Sequence, residues 1–226
     1  LFGQALWDFY HQKFDGPLLL CNNYGEAEDV PPDRFFDGAE LFDDLENYAL
    51  QQAHGQILDI GAATGRHALY LQHLDANVTA MDFSPFCCRL MKDRGVRDVL
   101  QEDVFLYSKN KYDTLLMLMN GIGLAGDLEG LQRLLVHLKN IIVPGGQLLL
   151  DSTDVAYLYE GTTIPADKYY GEIVYRYHYK GITGEAFRWL YIDQQTLMDI
   201  AVATGWACQI IFEDETDAYL ARLQML

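Results

Sequence analysis

A short turn rich in small residues, between an apolar strand and a helix, constrains this chain more than any other segment. The strand begins at Ile57, the helix begins at Arg66, and Gly61 and Gly65 bound the turn. Glycine permits a tight turn, and a helix N-terminus offers unpaired backbone N–H groups to polar ligand atoms. The pattern predicts a ligand-binding strand–turn–helix unit at the edge of a sheet.

The spacing of the small residues argues against two common nucleotide-binding loops. A dinucleotide fingerprint has glycine at the first, third and sixth positions of the turn. This chain has Gly61, Ala63 and Arg66 there, and the bulky charged side chain at the sixth position disfavours NAD or FAD. No Lys-Ser or Lys-Thr pair follows Gly65, so the sequence also lacks a phosphate-binding Walker loop.

A second acidic residue follows the turn at an informative distance. The segment 77–82 predicts a strand that ends on a carboxylate, and Asp82 lies 21 positions after Gly61. At this separation an acidic residue on the neighbouring strand reaches a pair of ribose hydroxyls, and a carboxylate can accept both hydrogen bonds. The alternative role, capping the next helix, is less favoured because Ser84 before Pro85 can supply that cap.

Residues 59–65 read Asp-Ile-Gly-Ala-Ala-Thr-Gly. They resemble the first motif of the class I S-adenosylmethionine-dependent methyltransferases, in particular those that act on small molecules. Ala63 stands where the family usually has a further glycine, a difference of one methyl group. The resemblance implies S-adenosylmethionine as the cofactor and S-adenosylhomocysteine as its product. It also implies a cofactor-binding set at four successive strand ends: Asp59, Gly61, Ala62, Ala63, Gly65, Asp82, Phe83, Asp103, Val104, Met119 and Asn120.

The remaining segments extend the resemblance to the whole fold. Strands and helices alternate over 54–151, which predicts a parallel sheet, and a helix at 196–204 precedes two antiparallel strands at 206–213 and 218–223. We predict an α/β fold, a three-layer Rossmann-like sandwich with a mostly parallel seven-stranded sheet and an antiparallel last strand. The single domain (1–226) would comprise a helical cap (1–53), the cofactor-binding core (54–151), a hairpin lid (152–193) and a C-terminal helix with edge strands (194–226).

Turn residues give further local predictions. The cap is expected to contain helices at 4–13 and 39–53, with a loop at 21–32 that the pair Pro31-Pro32 ends. The sequence Pro-Gly-Gly at 144–146 predicts a turn before a fifth strand at 147–151.

The segment between the fifth strand and the last helix predicts an inserted β-hairpin. Two strands, 171–180 and 185–193, flank a turn at 181–184. Alternation assigns aromatic residues to one face and mostly basic residues to the other. The aromatic set is Tyr175, Tyr177, Tyr179, Phe187, Trp189 and Tyr191, and the basic set is Arg176, His178, Lys180 and Arg188.

The hairpin is predicted to be either a lid or a structural element. As a lid it would wall the acceptor pocket with Tyr177 and Trp189, or bind an anionic acceptor through Arg176 and Arg188. Tyr24 in the cap is a further candidate for substrate contact. As a structural element, the aromatic set would pack on the sheet and the basic set would meet solvent. A homodimer contact through this face is a third possibility.

Methyl transfer requires little chemistry from the protein. The leaving group of a sulfonium is neutral, so positioning and exclusion of water supply most of the acceleration. A general base helps only where the nucleophile must lose a proton. His178 is the candidate for that role, and the catalytic residues are otherwise unassigned.

Composition limits the partners. The 226 residues carry a formal net charge of −17 and no Lys/Arg run, which disfavours nucleic acid and favours a small-molecule substrate. No apolar run could span a bilayer and no signal peptide is predicted, so we expect a cytoplasmic protein without a membrane partner. The cysteines lack metal-ligand spacing, so no metal is expected: Cys21, Cys87, Cys88 and Cys208.

Several functions stay open at this point. The favoured one is transfer of the methyl group of S-adenosylmethionine to an O, N or C atom of a small molecule, for which the basic set makes an anion a candidate. A related enzyme could transfer an aminopropyl group from a decarboxylated donor, but this needs a carboxylate at the tip of the fourth strand, where the sequence offers none before Asp127. A non-catalytic protein that binds the same cofactor and regulates a partner would retain the same cofactor residues.

Overall fold

Helices and strands alternate along most of the chain. The structure is a computed structural model that describes residues 1–22, 25–161, 163–165 and 168–226. The helices are α1 (Phe2–Tyr10), α2 (Asp44–Gln52), α3 (Arg66–His73), α4 (Pro85–Asp93), α5 (Leu128–Leu138) and α6 (Gln194–Ala203). The strands are β1 (Leu19–Cys21), β2 (Glu28–Asp29), β3 (Gln56–Ile60), β4 (Asn77–Asp82), β5 (Val99–Gln101), β6 (Tyr112–Met117), β7 (Ile142–Thr153), β8 (Glu172–Tyr179), β9 (Ile182–Thr183), β10 (Phe187–Leu190), β11 (Trp206–Glu213) and β12 (Ala218–Met225).

Seven strands form the main sheet, in the order β11-β12-β7-β6-β3-β4-β5. The five strands from β7 to β5 run parallel, whereas β12 pairs antiparallel with both β7 and β11. Parallel neighbours need crossover connections, and the intervening helices supply them. The predicted mostly parallel sheet with an antiparallel last strand is confirmed.

Helices cover both faces of the main sheet. On one face α5 and α6 contribute Leu131, Leu134 and Leu197, all fully buried. On the other face α2 and α3 contribute Leu45 and Ala68 to a second buried cluster. Each leucine buried in this way stabilises the fold by about 1.5–3 kcal/mol. The result is the predicted three-layer sandwich, and burial on both faces explains why β6 is apolar along most of its length.

The segment 144–146 forms a bulge within β7 rather than a turn before it. Tyr112 of β6 pairs with Ile142, but Thr114 pairs with Gln147, so a step of two residues in β6 matches a step of five in β7. Pro144 has no N–H for the ladder, and Gly145 has a φ of +81°. The prediction of a separate strand at 147–151 is therefore wrong at its start, because β7 continues through the bulge.

A second, antiparallel sheet of five strands lies outside the main sheet, in the order β10-β8-β1-β2 with β9 also paired to β8. We call these five strands the roof sheet. β8 and β10 form the predicted hairpin, with Phe187 opposite Tyr175. β1 pairs with the other edge of β8, so Leu19 lies opposite His178. The cap was predicted as two helices and a loop, without strands; instead β1 and β2 lie between the helices and complete a sheet whose other strands lie far away in the sequence.

The two cap helices begin and end close to their predicted positions. α1 ends at Tyr10, and its Leu6 is fully buried in a cluster that includes Cys87 of α4. α2 begins at Asp44 rather than at residue 39, because Asp43 and Glu46 form a capping box that starts the helix. Within the described ranges, no helix combines the length and the apolarity needed to cross a bilayer.

Candidate active site

The carboxyl ends of β3, β4, β5 and β6 meet at one edge of the main sheet. Each is followed by part of the predicted cofactor-binding set: 61–65 after β3, 82–83 at the end of β4, 103–104 beyond β5 and 119–120 beyond β6. Ligands of open α/β sheets bind outside the carboxyl ends of the strands. The structure thus brings residues from four separate segments to the edge where such a ligand would lie.

The turn after β3 uses left-handed backbone at three positions. Gly61, Ala63 and Gly65 have φ values of +76°, +50° and +77°. A Cβ atom on Gly65 would lie 2.8 Å from Val96 and 3.0 Å from Met91, so this glycine also permits close packing. Ala63 adopts the same conformation with a methyl group, at a cost on the order of 1–2 kcal/mol. The turn therefore keeps a left-handed backbone at position 63, although this chain has alanine there instead of glycine.

Asp82 holds this turn in place and can still accept further hydrogen bonds. Its Oδ2 atom accepts from the backbone N–H of Ala63 at 3.0 Å, and its Oδ1 atom accepts from that of Ser84 at 2.8 Å. Burial raises the pKa of Asp82 to about 6, against the opposing effect of these two hydrogen bonds. Ser84 caps α4 through the N–H of Cys87, as predicted. One lone pair on each carboxylate oxygen is left for a ligand.

Two side chains near Asp82 have properties that suit a bound ligand. Phe83 is 72 % exposed although it follows a buried strand. Asp59 is 2 % exposed, and its Oδ2 atom has no hydrogen-bond partner among the described residues. Burial raises the pKa of Asp59, and the charge of His67 acts in the opposite direction. A buried polar atom without a partner costs about 1–3 kcal/mol, which a polar ligand atom would offset.

The segment after β5 combines an exposed carboxylate with an apolar neighbour. Asp103 is exposed, and its Oδ1 atom accepts the backbone N–H of Phe105 at 2.9 Å. Val104 is buried in the main-sheet core. The backbone contact orients the Asp103 side chain and leaves acceptor capacity for a ligand.

The tip of β6 has an unusual backbone. Met119 and Asn120 both have left-handed φ values, +60° and +56°. Thr153 donates its hydroxyl to Oδ1 of Asn120 at 3.2 Å. Two consecutive residues in this conformation persist only where their surroundings hold them. The contacts that hold them come from β7.

Asp151 supplies the main contact, and the sequence analysis missed its role. Both of its carboxylate oxygens accept the backbone N–H of Asn120, at 2.8 and 3.0 Å. Burial raises the pKa of Asp151 to about 7, while the N–H groups of Asn120 and Gly121 act in the opposite direction. The sequence offers no carboxylate at this tip before Asp127, but Asp151 reaches it from the neighbouring strand. The signal that could have identified Asp151 in the sequence is its position, directly after the apolar residues 148–150.

Helix α2 contacts the start of α3, directly after the turn at 61–65, through a buried ionic cluster. Glu46 contacts Nη2 of Arg66 at 3.1 Å and Nε2 of His67 at 2.7 Å. Arg66 also donates to the backbone oxygen of Arg34 at 2.9 Å and lies 4.4 Å above the ring of Phe42. Burial acts to raise the pKa of Glu46, but His67 and Arg66 outweigh it, so the pKa lies below its ordinary value. These contacts fix the start of α3 to the N-terminal segment.

The aromatic set of the roof sheet faces the protein. Trp189 packs so closely on Gly123 that a Cβ atom there would lie 2.0 Å from the indole. Tyr177 stacks on Phe2 with a centroid distance of 5.4 Å and on Phe187 at 5.1 Å. These contacts seat the roof sheet on α1 and on the segment after β6.

The basic set lies on the opposite face of the roof sheet, so its predicted role at the acceptor is not supported. Arg188 is exposed and pairs with Asp127 at 2.7 Å, and Arg176 is exposed. His178 contacts the hydroxyl of Thr183 at 2.9 Å. Alternation along β8 turns Arg176 and His178 away from the aromatic set. Tyr24, another predicted contact residue, lies outside the described residues.

A cavity of about 350 Å³ lies between the roof sheet and the main sheet. Asn120 and Thr153 line it from the main sheet, and Glu28 and Tyr175 line it from the roof sheet. Tyr191 also borders it, whereas the predicted substrate residues Tyr177 and Trp189 do not. The sequence analysis missed Glu28 because nothing local connects β2 with a site more than 90 residues away.

Comparison with known proteins gives the family. No protein-family model and no curated protein matches the chain. Among solved structures, the chain is similar to an S-adenosylmethionine-dependent methyltransferase from Bacteroides fragilis in complex with S-adenosyl-L-homocysteine. The two are 39 % identical over 99 % of this chain and 94 % of that chain, with a TM-score of 0.91. The chain belongs to the S-adenosylmethionine-dependent methyltransferases.

More distant structures share the fold of this methyltransferase. The sugar N-methyltransferase KedS8 from Streptoalloteichus sp ATCC 53650 is 14 % identical, with a TM-score of 0.59 over 91 % of this chain and 97 % of that chain. The glycopeptide N-methyltransferase MtfA is 16 % identical, with a TM-score of 0.59 over 82 % of this chain and 91 % of that chain. The predicted class I fold and the predicted cofactor, S-adenosylmethionine, are confirmed for this methyltransferase.

Proposed function

We propose that this methyltransferase transfers the methyl group of S-adenosylmethionine to an O, N or C atom of a small molecule held in the 350 Å³ cavity. The observation that carries the proposal is the position of Asn120, which belongs both to the predicted cofactor-binding set and to the cavity lining. When bound, the cofactor supplies an electrophilic methyl group: the acceptor's lone pair bonds to its carbon while the electrons of the broken C–S bond return to sulfur. The acceptor's proton passes to solvent.

The residues at the strand ends fit this cofactor. The Oδ2 atom of Asp59, which has no partner among the described residues, suits an ammonium group, and the two spare lone pairs of Asp82 suit the ribose hydroxyls. The exposed ring of Phe83 suits the flat face of a base, and Asp103 keeps acceptor capacity for an exocyclic amine. The complete cofactor-binding set is part of this proposal.

The chain's own contribution is to position the acceptor and to exclude water. Asp151 fixes the backbone of Asn120, and the roof sheet covers the cavity through Tyr175 and Tyr191. None of the described residues that line the cavity is a histidine. Holding two reactants in line can supply most of the acceleration where the leaving group is neutral. Positioning therefore carries more of this mechanism than general-base catalysis does.

Calorimetric titration with S-adenosylmethionine, S-adenosylhomocysteine and NAD tests the cofactor site. We expect binding of the two sulfur compounds and none of NAD. Asp82→Ala should weaken both by at least tenfold, because it removes two charge-assisted hydrogen bonds worth about 1.5–3 kcal/mol each. Asp199→Ala, at an exposed position of α6, is the matched control and should bind normally. A folded protein that binds neither sulfur compound would overturn the proposal.

A further inference from the structure

The charge of the cavity lining limits what the acceptor can be. Glu28 is the ionisable carboxylate of the lining, and none of the described lining residues is basic. The arginines that could attract an anion lie on the other face of the roof sheet, where Arg188 pairs with Asp127. An anionic acceptor would meet the negative charge of Glu28 in a lining whose described residues include no base, which is unfavourable.

Tyrosine side chains line the same cavity as the Glu28 carboxylate. Burial raises the pKa of Tyr191. The negative charge of Glu28 acts in the same direction, so the two groups interact electrostatically. Tyr175 and Tyr191 both border the cavity, beside Tyr157. Tyrosine rings attract a cation through their faces. The part of the cavity lined by Glu28 and the tyrosines is therefore suited to a positively charged group.

The two sides of the cavity differ in chemistry. Glu28 and Tyr175 lie on the roof sheet, whereas Asn120 and Thr153 lie at the ends of β6 and β7. Glu28 accepts a hydrogen bond from the side-chain amide of Asn22 at 3.1 Å, and a carboxylate has about four acceptor sites in all. Glu28 is exposed, so an ammonium group can approach the carboxylate and add to the contacts that it already makes.

We propose that the acceptor is a small molecule with an ammonium group, which pairs with Glu28 while the nucleophilic atom at the other end of the molecule lies against Asn120. This inference rests on the proposed function, since it assigns the cavity to the acceptor. The ammonium group anchors the molecule and keeps its protons. The methyl group is transferred to the second polar atom, which loses its own proton to solvent.

Two matched sets of probes test the charge preference. The rigid set is 4-aminocyclohexanol, cyclohexane-1,4-diol and 4-hydroxycyclohexanecarboxylate, and the flexible set is 5-aminopentanol, pentane-1,5-diol and 5-hydroxypentanoate. Each set keeps one hydroxyl and changes the other end from positive to neutral to negative. Dissociation constants would be measured by ligand-observed NMR at pH 7.5, with the protein saturated with S-adenosylhomocysteine. We expect the amine to bind at least tenfold more tightly than the diol in one or both sets, and the carboxylate to bind least.

Glu28→Gln should reduce the preference for the amine over the diol to less than twofold, with the affinity for S-adenosylhomocysteine unchanged. Glu26→Gln makes the same chemical change at an exposed residue outside the cavity lining and should keep the full preference. No preference for the amine in either set, or a preference that Glu28→Gln leaves intact, overturns the inference. Failure of S-adenosylhomocysteine to bind would instead count against the proposed function, so the two failures can be distinguished.

Discussion

At the scale of single residues, the site depends on carboxylates whose surroundings differ. Asp82 and Asp151 have pKa values raised to about 6 and about 7, in both cases because burial disfavours the charged form. Asp82 keeps a lone pair on each oxygen for a ligand, whereas Asp151 directs both oxygens at one backbone N–H. The same residue type is therefore suited to bind the cofactor at one strand end and to shape the backbone at another.

Cofactor affinity should depend on pH through Asp82. The ribose hydroxyls would donate to the ionised carboxylate, so binding favours loss of its proton. Because the pKa in the free protein is about 6, affinity for S-adenosylmethionine should rise with pH up to about 6 and stay level above it. Calorimetric dissociation constants between pH 5 and pH 8 would measure this. The limiting slope below pH 6 is tenfold per pH unit.

Asp82→Asn separates this group from its neighbours. The amide keeps the shape of the side chain but has no charge to lose, so the variant should bind more weakly and without the slope below pH 6. A slope that persists in Asp82→Asn would show that another group titrates. Asp151, with its pKa of about 7, would then be the first alternative.

At the scale of elements, a buried ionic cluster joins α2 to the helix that follows the cofactor turn. Glu46 contacts both Arg66 and His67, whose side chains are 6 % exposed. Removing one partner of a buried pair leaves an uncompensated charge, which costs about 3–5 kcal/mol. The position of the cofactor turn therefore depends on a residue from the N-terminal segment.

Glu46→Gln should lower the free energy of unfolding by about 3 kcal/mol or more, because it leaves Arg66 buried without its counter-charge. Urea denaturation at pH 7 would measure the change. Glu129→Gln makes the same substitution in an exposed pair with Arg133 at 3.9 Å and should change stability by less than about 0.5 kcal/mol. Equal effects of the two substitutions would contradict a structural role for the buried cluster.

The pKa of Glu46 gives this cluster a defined pH dependence. Its folded-state pKa lies below the ordinary value of 4.5. The stabilisation is therefore fully present above pH 4.5 and is lost as the pH falls through the lower, folded-state value. The stability difference between the native protein and Glu46→Gln should shrink over that acidic range.

At the scale of the whole molecule, the site exists because the roof sheet docks on the main sheet. Trp189 packs directly on Gly123, in the segment that follows β6. Tyr175 of the roof sheet and Asn120 of the main sheet then line the same cavity. Neither sheet alone encloses an acceptor, so the docking geometry decides the shape of the cavity.

Gly123→Ala should disturb this docking, because its Cβ atom would lie 2.0 Å from the Trp189 indole. Overpacking of this kind costs about 1–3 kcal/mol, which urea denaturation would detect. Gly25→Ala is the control, since its Cβ atom would lie 3.8 Å from the nearest side-chain atom, in ordinary contact. A stability loss below about 0.5 kcal/mol in Gly123→Ala would show that the roof sheet adjusts without strain.

The sequence by itself determined the main sheet and the positions of the cofactor-binding set. Apolar periodicity is a local property, so the strands and helices from β3 to β12 were predicted within a few residues except at the β7 bulge and the β9–β10 part of the hairpin. The turn at 61–65, Asp82 and Asn120 follow strand ends, and parallel strands bring such ends to one edge. These features depend on short-range pattern and on the rule for parallel connections.

Only the tertiary structure decided the cavity between the two sheets. β1 and β2 are too short to show a strand pattern. β1 forms by pairing with β8, whose paired residues lie 155–159 positions away in the sequence, and β2 pairs with β1. That pairing brings Glu28 to the cavity, while alternation and Asp127 keep Arg188 outside it. Asp151 reaches the tip of β6 across a strand pair in the same way. Long-range pairing leaves no local signal, so the cofactor could be predicted from the chain and the surroundings of the acceptor could not.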